Sequence, residues 1–240
     1  MPETNTLPAP TYEVIRETWL TRKPRPSAFF VSAISTLALC IGSLVYLRDP
    51  FQWGDSMSAS WKAVHENGEY WRLWTTIFAH GDLGHLAGNT FLFFILGFFL
   101  YGYFGSAVFP FAAFVLGGIT NYIVLSTYAP EVTLIGASGV VYWMGGAWLI
   151  LYFLLSRQKN IKQRLLRTLG VGILIFMPAE AFEIRVSYRT HFIGFLLGVI
   201  FGFVYYLLHR RRFLEAEVRE TVTEELDPGD DLPPPEGFPV

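Results

Sequence analysis

The sequence predicts an all-α membrane protein, a bundle of six transmembrane helices with a long first loop in the membrane interface. Of the 240 residues, 52% are hydrophobic and only 16% are charged, which is too apolar for an ordinary soluble domain of this size. Several apolar runs are close to the roughly 20 residues that a helix needs to cross a bilayer. The chain is therefore expected to be an integral, multi-pass membrane protein.

The first helix is predicted over about residues 27–47, after a polar, proline-rich segment with basic residues between positions 22 and 25. A turn signal, Asp49-Pro50, marks its end. Further apolar runs follow it in place of a cleavage site, so it is not expected to be a signal peptide. Residues 1–26 are predicted to form a cytoplasmic tail, because basic residues beside an apolar run favour the cytoplasmic side.

A long connection over residues 48–82 separates the first two predicted helices. It contains four tryptophans, Trp53, Trp61, Trp71 and Trp74. Tryptophan favours the headgroup layer of a bilayer, so this first loop is predicted to be partly helical and to lie in the membrane interface.

Five more apolar runs predict the remaining helices. They lie at about residues 83–103, 107–128, 136–155, 169–182 and 190–208. The fifth predicted helix is short for a crossing and contains Pro178, so its ends are the least defined. The basic residues from Arg157 to Arg167, which precede it, are interpreted as the densest basic loop of the chain.

The basic residues predict the topology, because Lys and Arg accumulate in short loops on the cytoplasmic side. One cluster precedes the first helix, one follows the fourth and one follows the sixth, which puts both termini in the cytoplasm. The predicted domains are a cytoplasmic tail, 1–26, a membrane domain, 27–208, and an acidic, proline-rich cytoplasmic tail, 209–240. The second tail is expected to be disordered.

Polar side chains that can transfer protons fall at the outer ends of the even-numbered helices. His85 and Asn89 lie in the second helix. Ser138 lies at the start of the fourth and His191 at the start of the sixth. Such groups are costly in a bilayer and usually mark a functional interior, so their similar depth is more informative than any one residue. His85 and Asn89 lie on one face of the helix. Taken alone, this pair is equally well explained by a structural role in hydrogen bonds between helices.

The run Gly136-Ala137-Ser138-Gly139 places a hydroxyl between glycines where the fourth helix begins. Glycine permits close backbone approach, and the first N–H groups of a helix have no intrahelical partner and can face a developing negative charge. This setting suits a nucleophile. The same run is also common where small residues simply allow membrane helices to pack.

Three glycines, Gly194, Gly198 and Gly202, follow His191 along one stripe of the sixth helix. Such a stripe can pack closely on another helix, and Gly139 offers a matching surface that would bring Ser138 within reach of His191. Ordinary helix packing also explains the stripe when it is taken alone. If the two side chains meet, the imidazole can take the hydroxyl proton while the serine oxygen attacks a carbonyl.

The oxyanion formed in such a reaction needs hydrogen-bond donors. The backbone N–H of Ser138 and the side chains of His85 and Asn89 can supply them. No acidic residue has a spacing that directs it at His191, so a dyad without an orienting carboxylate is expected. Tyr142, one turn after Ser138, can hold the imidazole ring by packing.

These residues resemble the rhomboid family of intramembrane serine proteases over roughly residues 27–208. The motifs that carry the resemblance are Trp71-Arg72, His80 with His85-x-x-x-Asn89, Gly136-Ala137-Ser138-Gly139 with Tyr142, and His191-x-x-Gly194-x-x-x-Gly198. One position departs from the family. The residue before the sixth-helix histidine is usually small, and here it is Thr190.

The resemblance implies a six-helix rhomboid bundle in which Ser138 is the nucleophile and His191 its base. It implies that His85, Asn89 and the Ser138 amide form the oxyanion site, and that Trp71-Arg72 is a structural part of the first loop. The implied substrates are transmembrane segments of single-span or multi-span membrane proteins, cut near their outer end at small or helix-breaking residues. A bacterial inner membrane is the expected location.

Other functions explain fewer of these residues. Acidic residues near the spans suggest ion or proton transport, but only Glu180 is expected to be buried. A zinc intramembrane protease needs a His-Glu-x-x-His helix, which His80 and His85 do not form. The alternative that stays open is a rhomboid-like protein that binds membrane clients without cutting them, although such a protein is expected to have lost Ser138 or His191.

No cofactor and no metal ion are expected. The single cysteine, Cys40, excludes an internal disulfide and a metal cluster built on thiolates. The expected partners are the lipid bilayer and membrane-protein substrates, not nucleic acid, and the sequence does not indicate an oligomeric state.

Overall fold

A computed structural model describes residues 11–176 and 187–223 of the chain. The α-helices of these ranges are α1 Ala28–Arg48, α2 Gly54–Met57, α3 Arg72–Thr75, α4 Leu83–Phe104, α5 Ala113–Leu125, α6 Ser138–Leu155, α7 Ile161–Phe176 and α8 Tyr188–Leu214. The β-strands are β1 Thr11–Glu17, β2 Ala59–Ser60, β3 Thr133–Leu134 and β4 Val218–Thr223. The described chain is mostly helical, which confirms the predicted class of helical membrane bundle.

Five described helical segments are long and apolar enough to cross a membrane. They are α1, α4, the segment Ala107–Leu125 that ends in α5, α6 and α8. Their starts agree with the predicted helices to within two residues, and α8 continues beyond its predicted end. The chain is therefore an integral, multi-pass membrane protein, while the count of six crossings stays a prediction.

The predicted basic loop before the fifth helix is wrong in part, because α7 already begins at Ile161. The Asn160 side chain accepts a hydrogen bond from the Gln163 N–H at 2.9 Å, as a helix N-cap does. The Lys, Gln, Arg and Leu residues that follow are good helix formers, so the basic side chains lie on a helix. The prediction for this helix also included residues 177–182, which lie outside the described residues.

The strands β1 and β4 form an antiparallel ribbon that joins the two predicted tails. This pairing corrects the expectation of disorder for residues 209–223, because α8 continues to Leu214 and β4 follows it. Both strands contain β-branched residues between charged ones, a composition that suits a half-exposed ribbon. Residues 224–240 lie outside the described residues.

The ribbon also bears on the number of crossings. It connects a strand that precedes the first span with a strand that follows the last, so both lie on the same side of the membrane. The chain must then cross an even number of times. The described residues contain five spans, so the predicted count of six stays a prediction.

The helices α6 and α8 form the most extensive helix pair, and α6 is the most deeply buried span. Glycines allow this contact. A Cβ added at Gly198 would lie 2.0 Å from the Trp143 carbonyl oxygen, and one at Gly194 would lie 2.4 Å from that of Gly139. Because only glycine permits such an approach, the predicted nucleophile and base are carried by two helices in backbone contact.

The basic clusters meet at one end of the bundle, which we call the basic end. The Arg25 N–H, just before α1, donates to the Gly102 carbonyl near the end of α4 at 3.0 Å. The Trp19 ring packs edge-on against Phe213 near the end of α8, with 5.3 Å between ring centroids. The starts of α6 and α8 therefore lie at the opposite end.

Candidate active site

Ser138 is the first residue of α6, and contacts with the first loop hold the backbone before it. Gly136 has a φ of +112°, which favours glycine, and its N–H donates to the Thr76 carbonyl at 3.0 Å. The Thr76 hydroxyl donates in turn to the Leu134 carbonyl at 2.5 Å. Because Ser138 opens the helix, its N–H has no intrahelical acceptor and remains available to a ligand.

The ring of His85 lies directly against this backbone. A Cβ at Gly136 would lie 2.8 Å from His85 Cε1, 3.1 Å from its Nε2 and 3.9 Å from the Asn89 amide nitrogen. The backbone N–H of His85 donates to the Asp82 carboxylate at 2.8 Å, and this bond caps the start of α4. His85 and Asn89 therefore lie in the first two turns of the helix. The predicted oxyanion donors therefore converge on the segment that leads into Ser138.

A buried network around His80 joins three parts of the chain. His80 Nδ1 lies 2.9 Å from the hydroxyl of Ser43 on α1, and that hydroxyl donates to the Leu39 carbonyl at 2.8 Å. His80 Nε2 lies 3.2 Å from the Asn89 amide nitrogen and accepts from the Ala137 N–H at 3.4 Å. Since the serine proton is directed at Leu39, Nδ1 must donate and Nε2 must accept, which defines one neutral tautomer.

The electrostatics of His80 agree with this tautomer. Burial, and after it the His85 ring at 5.0 Å between centroids, lowers the pKa of His80 to about 4. His80 is therefore neutral near pH 7 and accepts one of the two N–H bonds of the Asn89 amide, which leaves the second free for a ligand. The sequence motif indicated a supporting role for His80, but it did not indicate that Ser43 accepts a hydrogen bond from this histidine. The only sequence signal for Ser43 was a serine within an apolar run.

His191 lies in the first turn of α8 and stacks on Tyr142 of α6. The ring centroids are 3.9 Å apart and the planes differ by 10°. Tyr142 is one turn after Ser138, so the imidazole lies against the helix that carries the serine. Within the described residues no hydrogen bond joins the Ser138 hydroxyl to the His191 ring. The two predicted catalytic residues thus lie on facing helices at the same end of the bundle without direct hydrogen bonding.

Thr190, the departure from the family motif, fits into the α6–α8 contact. It is 2% exposed, and its N–H donates to the Ser187 hydroxyl at 3.2 Å, which caps α8. Its methyl group lies 3.2 Å from the position of a Cβ at Gly139. The absence of a side chain at Gly139 therefore makes room for the threonine methyl.

Trp71 and Arg72 lie in the first loop, at the start of α3. Arg72 Nε pairs with Glu69 at 2.5 Å, and its Nη1 donates to the carbonyls of Asp55 and Ser58. Trp71 is 53% exposed. Arg72 therefore holds separate parts of the first loop together.

A family description, the Rhomboid domain, matches residues 67–208, which is more than half of the 240 residues. The chain belongs to the rhomboid family. The match contains every predicted site residue of this rhomboid. It is shorter than the resemblance expected over 27–208, because α1 and the start of the first loop precede it.

Several known rhomboids are similar to the central part of the chain. Rhomboid protease GluP of Bacillus subtilis (strain 168) is 32% identical over 138 residues, which are 56% of this chain and 26% of GluP. RHOMBOID-like protein 5 of Arabidopsis thaliana is 33% identical over 141 residues, 58% of this chain and 45% of that protein. Putative rhomboid protein L523 of Acanthamoeba polyphaga mimivirus is 30% identical over 136 residues, 55% of this chain and 70% of that protein. This rhomboid therefore covers less than half of the first two relatives.

The rhomboid family is known for intramembrane serine proteases, and some of its members are inactive. Membership supports intramembrane proteolysis at the level of the family. Among residues 11–176 and 187–223, no group of three or more His, Cys, Asp or Glu side chains could hold a metal ion.

Proposed function

We propose that this rhomboid is an intramembrane serine endopeptidase with Ser138 as its nucleophile and His191 as its general base. The observation that supports the proposal most is the stacking of His191 on Tyr142, because it holds an imidazole against the helix that presents the serine. Backbone contacts at the glycines of α6 and α8 support this arrangement.

The reaction begins when the His191 ring accepts the Ser138 hydroxyl proton and the serine oxygen attacks the scissile carbonyl. The two side chains approach further when substrate binds, since catalytic hydrogen bonds often tighten only in the complex. The Ser138 N–H, the His85 side chain and the Asn89 amide then donate to the oxyanion. The imidazolium gives its proton to the leaving amine, and water hydrolyses the acyl-enzyme.

The proposed substrates are single-span or multi-span membrane proteins, cut near the outer end of a transmembrane segment. Small or helix-breaking residues there would let the backbone unwind into the site. We propose that the protein lies in a bacterial inner membrane, with both termini on the cytoplasmic side. The pairing of β1 with β4 supports a common side for the two termini.

The test is cleavage of a panel of single-span substrates by the purified protein and its variants. Ser138→Ala and His191→Ala are each expected to abolish cleavage while thermal unfolding shows that both variants remain folded. Ser126→Ala is a matched control, because among the described residues its hydroxyl bonds only the Tyr122 carbonyl at the end of α5. Unchanged cleavage by either dyad variant contradicts the proposal.

The second candidate is a rhomboid-like protein that binds membrane clients without cutting them. The presence of both Ser138 and His191 counts against it, since a protein of this kind has no use for the pair. Stable capture of substrates by the wild-type protein, with no cleavage of any member of the panel, would favour it.

A further inference from the structure

A groove of about 590 Å³ runs between α6, α7 and α8. Its walls are mostly apolar and include Leu149 and Phe153 of α6, Leu165 and Leu169 of α7, and Phe195 and Val199 of α8. One end reaches Tyr142 and His191, and the other reaches the basic end of the bundle. We call this cavity the α7 groove.

The dimensions of the α7 groove suit an acyl chain. Along α6 it extends from Tyr142 to Phe153, a rise of about 16 Å at roughly 1.5 Å per residue. One leaflet of a bilayer has a hydrocarbon depth of roughly 15 Å, which is half the thickness of the core. A lipid tail that enters at the basic end therefore matches the length of the groove.

A transmembrane helix of a substrate fits the α7 groove less well. The α7 groove extends for about 16 Å along α6, which is about three turns of a helix at roughly 5.4 Å per turn. A crossing segment needs about 20 residues, or roughly 30 Å, so it would extend well beyond the groove.

The basic end of the α7 groove is positively charged. The sequence has no Asp or Glu at positions 132–179, while Lys162, Arg164 and Arg167 lie on α7. The Arg164 guanidinium lies 5.2 Å from the centroid of the Phe153 ring and donates to the Phe153 carbonyl at 3.2 Å. Since Phe153 lines the groove, this cation lies at its end, and no carboxylate of the described residues pairs with it.

Two buried polar atoms in this region have no hydrogen-bond partner among the described residues, Arg164 Nε and Thr168 Oγ1. Thr168 lines the groove and lies one turn after Arg164 on the same face of α7. Buried polar atoms are nearly always hydrogen-bonded, so these two require an acceptor that the described chain does not supply. Phosphate and ester oxygens of a lipid are acceptors of this kind.

We propose that the α7 groove binds an anionic phospholipid, with one acyl chain between α6, α7 and α8 and its phosphate beside Arg164. The basic residues of α7 favour anionic over zwitterionic head groups, because clustered Lys and Arg attract the anionic lipids of a membrane surface. The bound chain ends beside Tyr142 and His191. The proposal does not rest on the proposed proteolysis, because Arg164, which would hold the phosphate, lies at the opposite end of the groove from His191.

The first experiment measures lipid retention by the full-length protein. The protein is stripped of lipid in detergent, mixed with phosphatidylglycerol or phosphatidylcholine and examined by native mass spectrometry. Phosphatidylglycerol is expected to be retained preferentially, and Arg164→Gln is expected to lower its retention about fivefold, the effect of one charge near a phosphate. Arg211→Gln is the matched control, since its side chain is 93% exposed and pairs with Glu215.

The second experiment locates the acyl chain with a photoactivatable phosphatidylglycerol, which is expected to crosslink to α7 and α8. Gly172→Leu fills the groove, because its Cβ would lie 3.3 Å from the Leu149 side chain, and is expected to abolish these crosslinks. Gly170→Leu, where a Cβ meets nothing within 4 Å, is expected to retain them. Equal retention of both lipids, an unaffected Arg164→Gln variant, or crosslinks that survive Gly172→Leu overturn the proposal. The proposal is also overturned if a substrate segment crosslinks to the groove and the lipid does not.

Discussion

The imidazole of His191 lies parallel to the phenol ring of Tyr142, with 3.9 Å between ring centroids. In a dyad without an orienting carboxylate, some other group must fix the ring of the base. Here an aromatic face does so from the helix that also carries Ser138. The proposed base is thus oriented by the helix of the proposed nucleophile, so a relative movement of α6 and α8 would disturb both residues together.

Substitutions at Tyr142 test this positioning role. Tyr142→Ala removes the stacked ring and is expected to lower kcat about fivefold with a smaller change in KM, since an aromatic pair contributes about 1 kcal/mol. Tyr142→Phe keeps the ring and is expected to retain most of the activity. Cleavage kinetics of one substrate at several concentrations measure both effects. Equal losses in the two variants would show that the hydroxyl matters and the stacking does not.

The His80 network predicts a dependence of stability on pH. Burial and the His85 ring lower the pKa of His80 to about 4 from its ordinary value of 6.5. Between these pH values the unfolded protein binds a proton that the folded protein does not, so stability is complete above pH 6.5 and is lost as the pH falls. The loss is expected to reach about 3 kcal/mol at pH 4.

The control for this prediction is His80→Gln, which offers an amide in place of the ring and cannot take up a proton. The variant is expected to be less stable than the wild type at pH 7, and the difference is expected to shrink as the pH falls. Free energies of unfolding in one detergent at several pH values measure it. The comparison cancels the other titrating groups, and a difference that stays constant between pH 7 and pH 4 would contradict the assignment.

The glycines between α6 and α8 predict a strong effect of a single methyl group. At Gly198 a Cβ would lie 2.0 Å from the Trp143 carbonyl oxygen, so Gly198→Ala must separate the two backbones. It is expected to destabilise the protein by about 3 kcal/mol and to abolish cleavage. Gly88→Ala on α4 is the control, since its Cβ meets nothing within 4 Å and its effect is expected to stay within about 1 kcal/mol. Thermal unfolding and cleavage assays of both variants measure the contrast.

The spans and the grouping of the candidate site could be predicted because both rest on local signals. An apolar run of sufficient length indicates a crossing, and a polar residue within it stands out because the bilayer makes it costly. His85, Ser138 and His191 were identified in this way, and the structure brings all three to the same end of the bundle. The His80–Ser43 contact could not be predicted, because it depends on how α1 packs against the first loop.

The ribbon and the start of α7 could not be predicted for different reasons. The strands β1 and β4 contain 7 and 6 residues, and the paired side chains of Arg16 and Glu220 are 204 positions apart. Short strands with charged residues resemble polar tails until their partner is known. At α7, the basic residues were interpreted as a topology signal alone, although Lys and Arg also form helices well.

At the basic end, an exposed ion pair and a packed aromatic ring are expected to contribute very differently to the free energy of unfolding. Arg16 pairs with Glu220 across the ribbon at 2.5 Å, but the side chains are 55% and 56% exposed. Exposed ion pairs contribute about 0–1 kcal/mol. Trp19 is more enclosed, because its ring packs against Phe213 and its indole N–H donates to the Tyr103 carbonyl at 3.0 Å.

Replacement of these two residues separates the contributions. Trp19→Ala is expected to lower the free energy of unfolding by about 3 kcal/mol, because it removes a packed ring and leaves a carbonyl without its donor. Arg16→Ala is expected to lower it by less than about 0.5 kcal/mol. Unfolding of both variants in the same detergent measures the difference. A loss in Arg16→Ala as large as that in Trp19→Ala would contradict the prediction, because the exposed ion pair would then stabilise the protein as much as the packed ring does.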